Sequence, residues 1–422
     1  MNVLVIGAGG REHALCHLLA RSPRLGKLFI LPGNAGTAAL GVNIPGDAND
    51  VGLALSVARR EGVGLTVVGP EEPLALGIAD AFRAAGLRIF GPSAAAARIE
   101  ADKGYAKQVM RQHAIPTAEY REFSDYGQAR KYISSRDEPL VVKAAGLAKG
   151  KGVIMCADPA EAILAAERIL RDRVFGAAGA RIIVEERLVG REASLMAIVD
   201  GHTILVLEPA QDYKRLRDGD EGPNTGGMGS FSPTAFLDQA TLRQVEEQIL
   251  VPVVDALVRE GVHYCGVLYV GLMLTPGGPK VLEFNCRFGD PETQALVMRL
   301  RSDVLDVLEA ACDGRLDQME LTWDARSALC VVMASAGYPE KSSPPAVISG
   351  LPEGPSDDLA VFHAGTTLEG GRVMATGGRV LGVTALGETL HAARARAYAV
   401  VDGIRFEGAR CRRDLGLEAH RT

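Results

Sequence analysis

Glu283, Asn285 and Arg287 alternate along and just beyond the apolar run Val281 to Asn285. In a strand, period-two alternation puts Glu283 and Asn285 on one face and turns Leu282 and Phe284 to the other. A carboxylate beside an amide oxygen suits a hard cation such as Mg²⁺, which keeps water and phosphate oxygens in its other positions. Arg287 adds a planar fork for a phosphate or carboxylate. The alternative is a strand end whose polar residues simply meet water. Against it stands Gly289-Asp290-Pro291-Glu292, which continues into a turn and a helix start.

Lys143 closes a second apolar strand and is followed by Gly146, Lys149, Gly150, Lys151 and Gly152. Such a loop brings backbone amides and ammonium groups onto triphosphate oxygens, with glycine allowing close approach. It lacks the G-x-x-x-x-G-K-[ST] spacing of a Walker A loop, and a solvated surface hairpin is the competing reading. The strand Arg181 to Glu186 ends in Glu185 and Glu186, with Glu192 shortly after. These carboxylates suit ribose hydroxyls or an adenine amino group, or they face solvent; spacing does not decide. In the first turn, Gly7-Ala8-Gly9-Gly10-Arg11-Glu12, the third glycine of G-x-G-x-x-G is replaced by Glu12. Amides at a helix start still favour an anion, so Gly9, Gly10 and Arg11 fit a phosphorylated substrate better than NAD. A tight turn without a ligand is the alternative.

These residues need a scaffold, and the pattern supplies one. Val3 to Ile6, Leu28 to Leu31, Leu65 to Val68 and Arg88 to Phe90 are short apolar runs, each ending in a Gly or Pro turn. They predict a doubly wound parallel sheet whose ligands lie beyond the strands' carboxyl ends. From Leu140 onward the grammar changes to antiparallel hairpins, Leu195 to Val199 with Thr203 to Leu207, and Cys265 to Leu274 with Lys280 to Asn285. Between them the polar, glycine-rich segment Asp212 to Ser232 is too long for a plain connection and reads as a binding loop. Asp158, Pro159 and Glu161 announce a helix start. A small α+β unit follows from Ala328.

The 422 residues carry 47% hydrophobic and 23% charged side chains, an ordinary globular balance that asks for two to four domains. A net charge of -6 argues against a nucleic-acid partner, which would need a basic face. No segment is apolar enough to span a bilayer and no leader precedes Val3, so a protein of the cytoplasm without membrane contact is expected. The seven cysteines show no paired spacing for zinc or disulfides and read as buried thiols of a reducing compartment.

Read together, the strings resemble the glycinamide ribonucleotide synthetase family of ATP-grasp ligases. The resemblance rests on Val5 to Ala14, Pro32 to Thr37, Val68 to Glu71, Gly222 to Gly229 and Glu283 to Gln294. It continues through Val331 to Ala334, Phe362 to Thr366 and Cys411 to Asp414. It implies an α/β and α+β multidomain chain: a doubly wound phosphoribosylamine-binding domain at 1–101, and a two-part ATP-grasp region at 102–296 with its smaller lid at about 120–190. Connecting helices at 297–327 lead to a C-terminal domain at 328–422. It further implies that Lys103 and Lys143 contact ATP phosphates with Gly150, Lys151 and Gly152. Glu185, Glu186, Leu188 and Glu192 would hold adenine and ribose, and Glu283 with Asn285 would bind Mg²⁺ or Mn²⁺.

Asn34, Gly36 and Thr37 join Gly9, Gly10 and Arg11 as implied substrate residues, together with Asn224, Thr225 and Asp290. Asp212 and Lys214, in a string like the family's Q-D-x-K-R, are candidates beside Arg287 for catalysis, orienting the amine or glycine. The implied activity joins glycine to 5-phosphoribosylamine through glycyl phosphate, in a monomer, as an early step of purine synthesis. The chain departs from the family pattern at Asp102, Ala145, Lys149 and Arg191, which bears on loop geometry and nucleotide affinity. A related carboxylate-amine ligase or carboxylase is the runner-up. A nucleotide sensor would need Lys143 or the metal pair missing, and an NAD oxidoreductase would need the third glycine.

Overall fold

Val3, Leu4, Val5 and Ile6 are all buried, as a strand covered on both faces by helices requires. In the computed structural model, which describes residues 1–148, 150–354 and 356–417, they form β1 (Asn2–Gly7). β1 pairs in parallel with β2 (Leu28–Pro32) and β4 (Val63–Val68). A short β3 (Val42–Asn43), which the sequence pattern does not reveal, and β5 (Ile89–Phe90) complete the order β3-β2-β1-β4-β5. The expected doubly wound parallel sheet is present, with its order reversing between β1 and β4.

The second sheet is antiparallel, in the order β6-β9-β7-β8, from β6 (Tyr120–Phe123), β7 (Leu140–Ala144), β8 (Val153–Met155) and β9 (Ile182–Glu186). One face, with Leu140, Val142, Ile182 and Val184, packs on the helices Tyr126–Ile133 and Pro159–Leu170. Alternation therefore turns Val141, Lys143, Ile183 and Glu185 to the opposite face. The second of these helices starts as its sequence predicts, with the Asp158 carboxylate accepting from the Glu161 amide at 2.9 Å. The Glu161 side chain reaches one residue beyond the cap, to the Ala157 amide at 2.8 Å.

β10 (Arg191–Asp200) and β11 (Ile204–Val206) form the first expected hairpin. The segment from Asp212 to Ser232, read from sequence as a loop, is largely strand. β12 (Gln211–Asp212), β13 (Arg215–Arg217), β14 (Glu221–Asn224) and β15 (Gly229–Ser232) account for most of it. These strands are too short and glycine-rich to show alternation, and their pairing partners lie far away in the chain. β16 (Cys265–Thr275) and β17 (Gly278–Asn285) form the second hairpin and complete a sheet ordered β11-β10-β16-β17.

Further along come β18 (Ser327–Ala334), β19 (Ala346–Val347), β20 (Leu359–His363), β21 (Thr366–Glu369), β22 (Arg372–Ala375) and β23 (Arg379–Gly387). The large sheet here is β12-β15-β18-β23-β20, so two strands from the 211–232 segment are built into it. The helix Leu390–Val401 covers it.

This C-terminal sheet also docks on the first domain. The His363 amide donates to Nδ1 of His13 at 2.7 Å, and the Asn34 amide group donates to the His363 carbonyl at 2.8 Å. Burial, with His363 and His17 nearby, pushes the His13 imidazole down to about 3, and burial pushes His363 down to about 4. Both folded values lie below the free imidazole value of 6.5, so the unfolded chain takes up protons first. The stabilisation from two neutral histidines is complete above pH 6.5 and drains away as pH falls, by at most about 1.4 kcal/mol per pH unit per group. Thermal unfolding midpoints should therefore drop between pH 7 and 5. His13→Gln, which keeps an acceptor but cannot titrate, should flatten that slope, and an unchanged slope would reject the assignment.

Candidate active site

A cleft of about 210 Å³ opens between the β6-β9-β7-β8 lid and the β10-β16-β17 sheet. Diagonal positions on the antiparallel β7 and β9 bring Lys143 and Glu185 together, since Val141 pairs with Glu185 and Lys143 with Ile183. Glu185, 3% exposed, is held between the ammonium groups of Lys143 and Lys107, the latter at 2.5 Å. Burial works against its charge, yet these two lysines hold the Glu185 carboxyl below its ordinary value. Lys107 itself is pushed by burial down to about 8, with Glu185 opposing the shift.

Lys107 escaped the sequence reading. Its only local signal is that it lies one helical turn beyond Lys103 on Lys103–Gln112, at the i,i+4 spacing that shares a face. Lys103 lines the cleft, with its side chain 3.4 Å from the Gly146 carbonyl.

On the opposite wall, β17 carries an extra residue. Leu272 pairs with Val281 and Gly271 with Glu283, so Leu282 is a bulge. Phe284 is buried in the core as expected, but Leu282 is only half-buried, and both border the cleft. Released from the ladder, the Leu282 carbonyl accepts from Lys143 Nζ at 3.1 Å, tying β7 to β17. Glu283 and Asn285 face the cleft together, opposite Gly271 and Tyr269. Despite burial, Lys214, Lys103, Lys143 and Arg287 hold the Glu283 carboxyl below its ordinary range.

The guanidinium of Arg287 is already matched: it lies 3.0 Å from Glu100, 3.3 Å from Glu71 and 3.2 Å from the Asn285 amide oxygen. The fork that the sequence offers to a phosphate here braces Asn285 instead. Lys214 pairs with Glu192 at 3.4 Å, and Lys280 with Glu186 at 3.3 Å. Asp212 is pushed well up, first by burial and then by the Glu292 carboxylate, and its Oδ1 is buried without a hydrogen-bond partner. Glu292 accepts from Tyr269 at 2.9 Å and from Ser194 at 3.1 Å.

Among the described residues, nine carboxylates and five cationic side chains line the cleft. Gly150, Gly152, Leu188, Asn224, Thr225 and Asp290 line it too, while Lys151 does not and Lys149 lies outside the described residues.

The first turn is filled from within the protein. The Gly9 amide donates to Glu12 at 2.5 Å and the Arg11 amide to Asp290 at 3.3 Å. Two of the three amides expected to be open to a phosphate are thus taken by carboxylates. Asn34 is likewise internal, accepting from the amides of Gly36 and Thr37 and donating to the Ala8 carbonyl at 2.8 Å. None of Gly9, Gly10, Arg11, Asn34, Gly36 or Thr37 lines the cleft. The expectation of open amides there fails because sequence cannot show which distant side chains fold back onto a turn.

The departures at Asp102, Ala145 and Arg191 are accommodated. Asp102 caps the helix Lys103–Gln112 by accepting from Gly104 at 3.0 Å, and it pairs with Arg181 at 2.9 Å. The Ala145 carbonyl accepts from the Lys103 amide at 2.8 Å, so its backbone fixes the start of that helix. Arg191 stacks over the ring of Phe236 at 4.3 Å.

Against known proteins, residues 1–100 match the phosphoribosylglycinamide synthetase N domain, 101–293 its ATP-grasp (A) domain and 328–418 its C domain. The chain is 50% identical over 426 residues to the phosphoribosylamine–glycine ligase of Rhodopirellula baltica, covering 99% of this chain and 98% of that protein. It is 48% identical over 424 residues to the ligase of that name from Ralstonia nicotianae, with 100% of each covered. A crystal structure of phosphoribosylamine–glycine ligase from Thermotoga maritima matches with a TM-score of 0.86 at 34% identity, over 98% of this chain and 100% of that one. The biotin carboxylase domain of a Hydrogenobacter thermophilus 2-oxoglutarate carboxylase, solved with MgADP and bicarbonate, matches with a TM-score of 0.73 over 97% and 91%. At 15% identity, that likeness shows the shared fold alone.

Lys107→Met should leave Glu185 with a single ammonium partner and raise the KM for ATP roughly tenfold, about 1.4 kcal/mol, less than the roughly 3–5 kcal/mol of a fully broken buried ion pair because Lys143 remains. A KM for ATP within twofold of the parent would remove Lys107 from the nucleotide site.

Proposed function

The chain belongs to the phosphoribosylglycinamide synthetase family, ATP-grasp ligases of purine biosynthesis, and we propose that it joins glycine to 5-phosphoribosylamine through a glycyl phosphate intermediate. A carboxylate is a poor electrophile, so the glycine oxygen first attacks the γ-phosphorus of ATP and ADP leaves. The amine of phosphoribosylamine then attacks the acyl carbon, phosphate departs, and glycinamide ribonucleotide remains. Such a transfer asks the protein chiefly for positioning and charge neutralisation.

The observation that carries this reading is the crowding of Lys103, Lys107, Lys143 and Lys214 around a cleft that also holds an ionised Glu283 beside the neutral Asn285. Lys103 and Lys143 face the ATP phosphates, while Glu185, Glu186, Leu188 and Glu192 border adenine and ribose. The carboxylates outnumber the cations, so a polyphosphate enters this cleft only with further positive charge. The enzyme works on ATP with a divalent metal, and an acid paired with an amide oxygen fits Mg²⁺ or Mn²⁺. Glu283 and Asn285 would hold that ion, which when bound neutralises and orients phosphate oxygens. Arg287, by gripping Asn285, keeps the amide oxygen of that pair aimed at the cleft.

On the acceptor side, the unpartnered Oδ1 of Asp212 and the ammonium of Lys214 offer complementary contacts to an amine and a carboxylate. Burial opposes the charge on Lys214, but Glu192 foremost among its neighbours holds its proton well above the ordinary lysine range, so it acts as a fixed cation. Asn224, Thr225 and Asp290 complete this wall. The first-turn residues Gly9, Gly10 and Arg11, with Asn34, Gly36 and Thr37, support the phosphoribosyl side by shaping the domain surface beyond β1 and β2. We place the enzyme in the cytoplasm as a monomer. The free state of its seven cysteines suits a reducing compartment, and no described helix is long and apolar enough to cross a membrane.

Phosphate release from ATP should require both glycine and phosphoribosylamine, and release that persists with another carboxylate-amine pair and not with these would overturn the substrate assignment. Glu283→Ala should abolish turnover with the fold retained, and Asn285→Leu should act in the same direction more mildly. Initial rates comparable to the parent at saturating Mg²⁺ would reject the metal pair.

A further inference from the structure

Every described residue lining the cleft lies between Glu71 and Glu292, so the C-terminal sheet reaches it only through Asp212 of its edge strand β12, and the unit from β18 onward contributes no wall to it. Two of that unit's side chains nevertheless grip the peptide of Gly226, in the strap Asn224 to Gly227 that borders the acceptor side. The Gly226 amide donates to the Tyr338 hydroxyl at 2.8 Å, and the Gly226 carbonyl accepts from Arg379 Nη1 at 2.6 Å. The same Nη1 donates to the Asp290 carbonyl at 2.7 Å and stands 3.4 Å from the Asp290 carboxylate. One guanidinium thus joins two segments 64 residues apart in sequence, both bordering the cleft.

The fit leaves little freedom. A Cβ on Gly226 would meet the Arg379 guanidinium carbon at 3.1 Å, so any side chain there would push the guanidinium back by a few tenths of an ångström. The strap's other edge is tied to the link between β12 and β13: both the Thr225 amide and its hydroxyl donate to the Lys214 carbonyl at 2.8 Å, and the Met228 amide donates to the Tyr213 carbonyl at 2.8 Å. A Cβ on Gly227 would sit 2.7 Å from the unpartnered Asp212 Oδ1, so the strap passes directly over that oxygen. A shift of the strap therefore moves the wall that faces Asp212.

We infer that Arg379, assisted by Tyr338, is a positioning residue for the acceptor half of the cleft: it fixes Asn224 to Gly227 and Asp290 relative to each other without touching substrate. The inference rests on the acceptor role read above for that wall. It gives the unit from β18 onward a catalytic purpose that its absence from the cleft lining conceals. It also separates the two substrate classes, because among the described residues the hydrogen bonds and ion pair of the Arg379 side chain go to Gly226 and Asp290 and not to β7, β9 or the helix Lys103–Gln112.

The test measures KM for ATP, glycine and phosphoribosylamine, together with hydrogen exchange over residues 221–232, in the full-length Arg379→Met, Arg379→Lys and Tyr338→Phe enzymes. Arg379→Met should raise KM for glycine or phosphoribosylamine at least tenfold, leave that for ATP within about threefold, and speed exchange in the strap. Arg379→Lys should retain part of the effect through its charge, and Tyr338→Phe should act in the same direction more weakly. A uniform rise for all three substrates, or unchanged acceptor constants in a folded variant, would overturn the inference. If Arg379→Met fails to fold, unchanged strap exchange in both Arg379→Lys and Tyr338→Phe overturns it. A parent enzyme indifferent to glycine and phosphoribosylamine would instead sink the ligase reading, while strap exchange would still decide for or against the clamp.

Discussion

A carboxylate taken out of water must be paired, and the active cleft is organised around that requirement. Glu185 is buried on the lid and sits between two ammonium groups from different elements, one on β7 and one on the helix Lys103–Gln112. Removing either lysine would leave the buried carboxylate with one partner instead of two, so the pairing holds the β7 and β9 strands against the helix below. The same logic binds Arg287 to Glu71 and Glu100, joining the tip of β17 to the first domain. The cleft is therefore held open by a network of matched charges, with the surplus of acid left for the ligands to balance.

That surplus explains why the metal belongs to the substrate side of the architecture more than to the protein. Among the described residues no cluster of three or more acidic, histidine or cysteine ligands gathers as a metal cage. Glu283 and Asn285, the pair proposed to hold it, would provide only part of a coordination shell, and an ion there would depend on phosphate oxygens for the rest. The bulge at Leu282 serves both ends of this arrangement. It turns Glu283 and Asn285 toward the cleft, and it frees a carbonyl to hold Lys143.

The division of labour between sheets follows from topology. The parallel sheet closes its own first turn with Glu12 and with Asp290 from the far end of the central sheet. The C-terminal sheet, by taking in β12 and β15, places Asp212 at its edge and makes its integrity a condition for the wall proposed to face the acceptor. Domains that are separate in sequence are thus mechanically continuous at the site.

Much of this was legible along the chain. The uniformly apolar runs of β1, β2 and β4 declare strands buried on both faces, the Asp158-Pro159 cap declares a helix, and the alternation around Glu283 places carboxylate and amide on one face, because all three are set by neighbours within a few residues. Lys143, Glu185 and Glu283 could be picked out for the same reason. What only the tertiary structure decided were the partners: that Lys107 holds Glu185, that Arg287 is spent on Glu71 and Glu100, and that Glu12 and Asp290 occupy the amides of Gly9 and Arg11. It also decided that Arg379 reaches Gly226 across 153 residues. Local sequence sets backbone conformation and which way a side chain faces. Whether a charge meets a ligand, water or another charge depends on segments brought together by packing, and only long-range burial makes that choice costly enough to be unique.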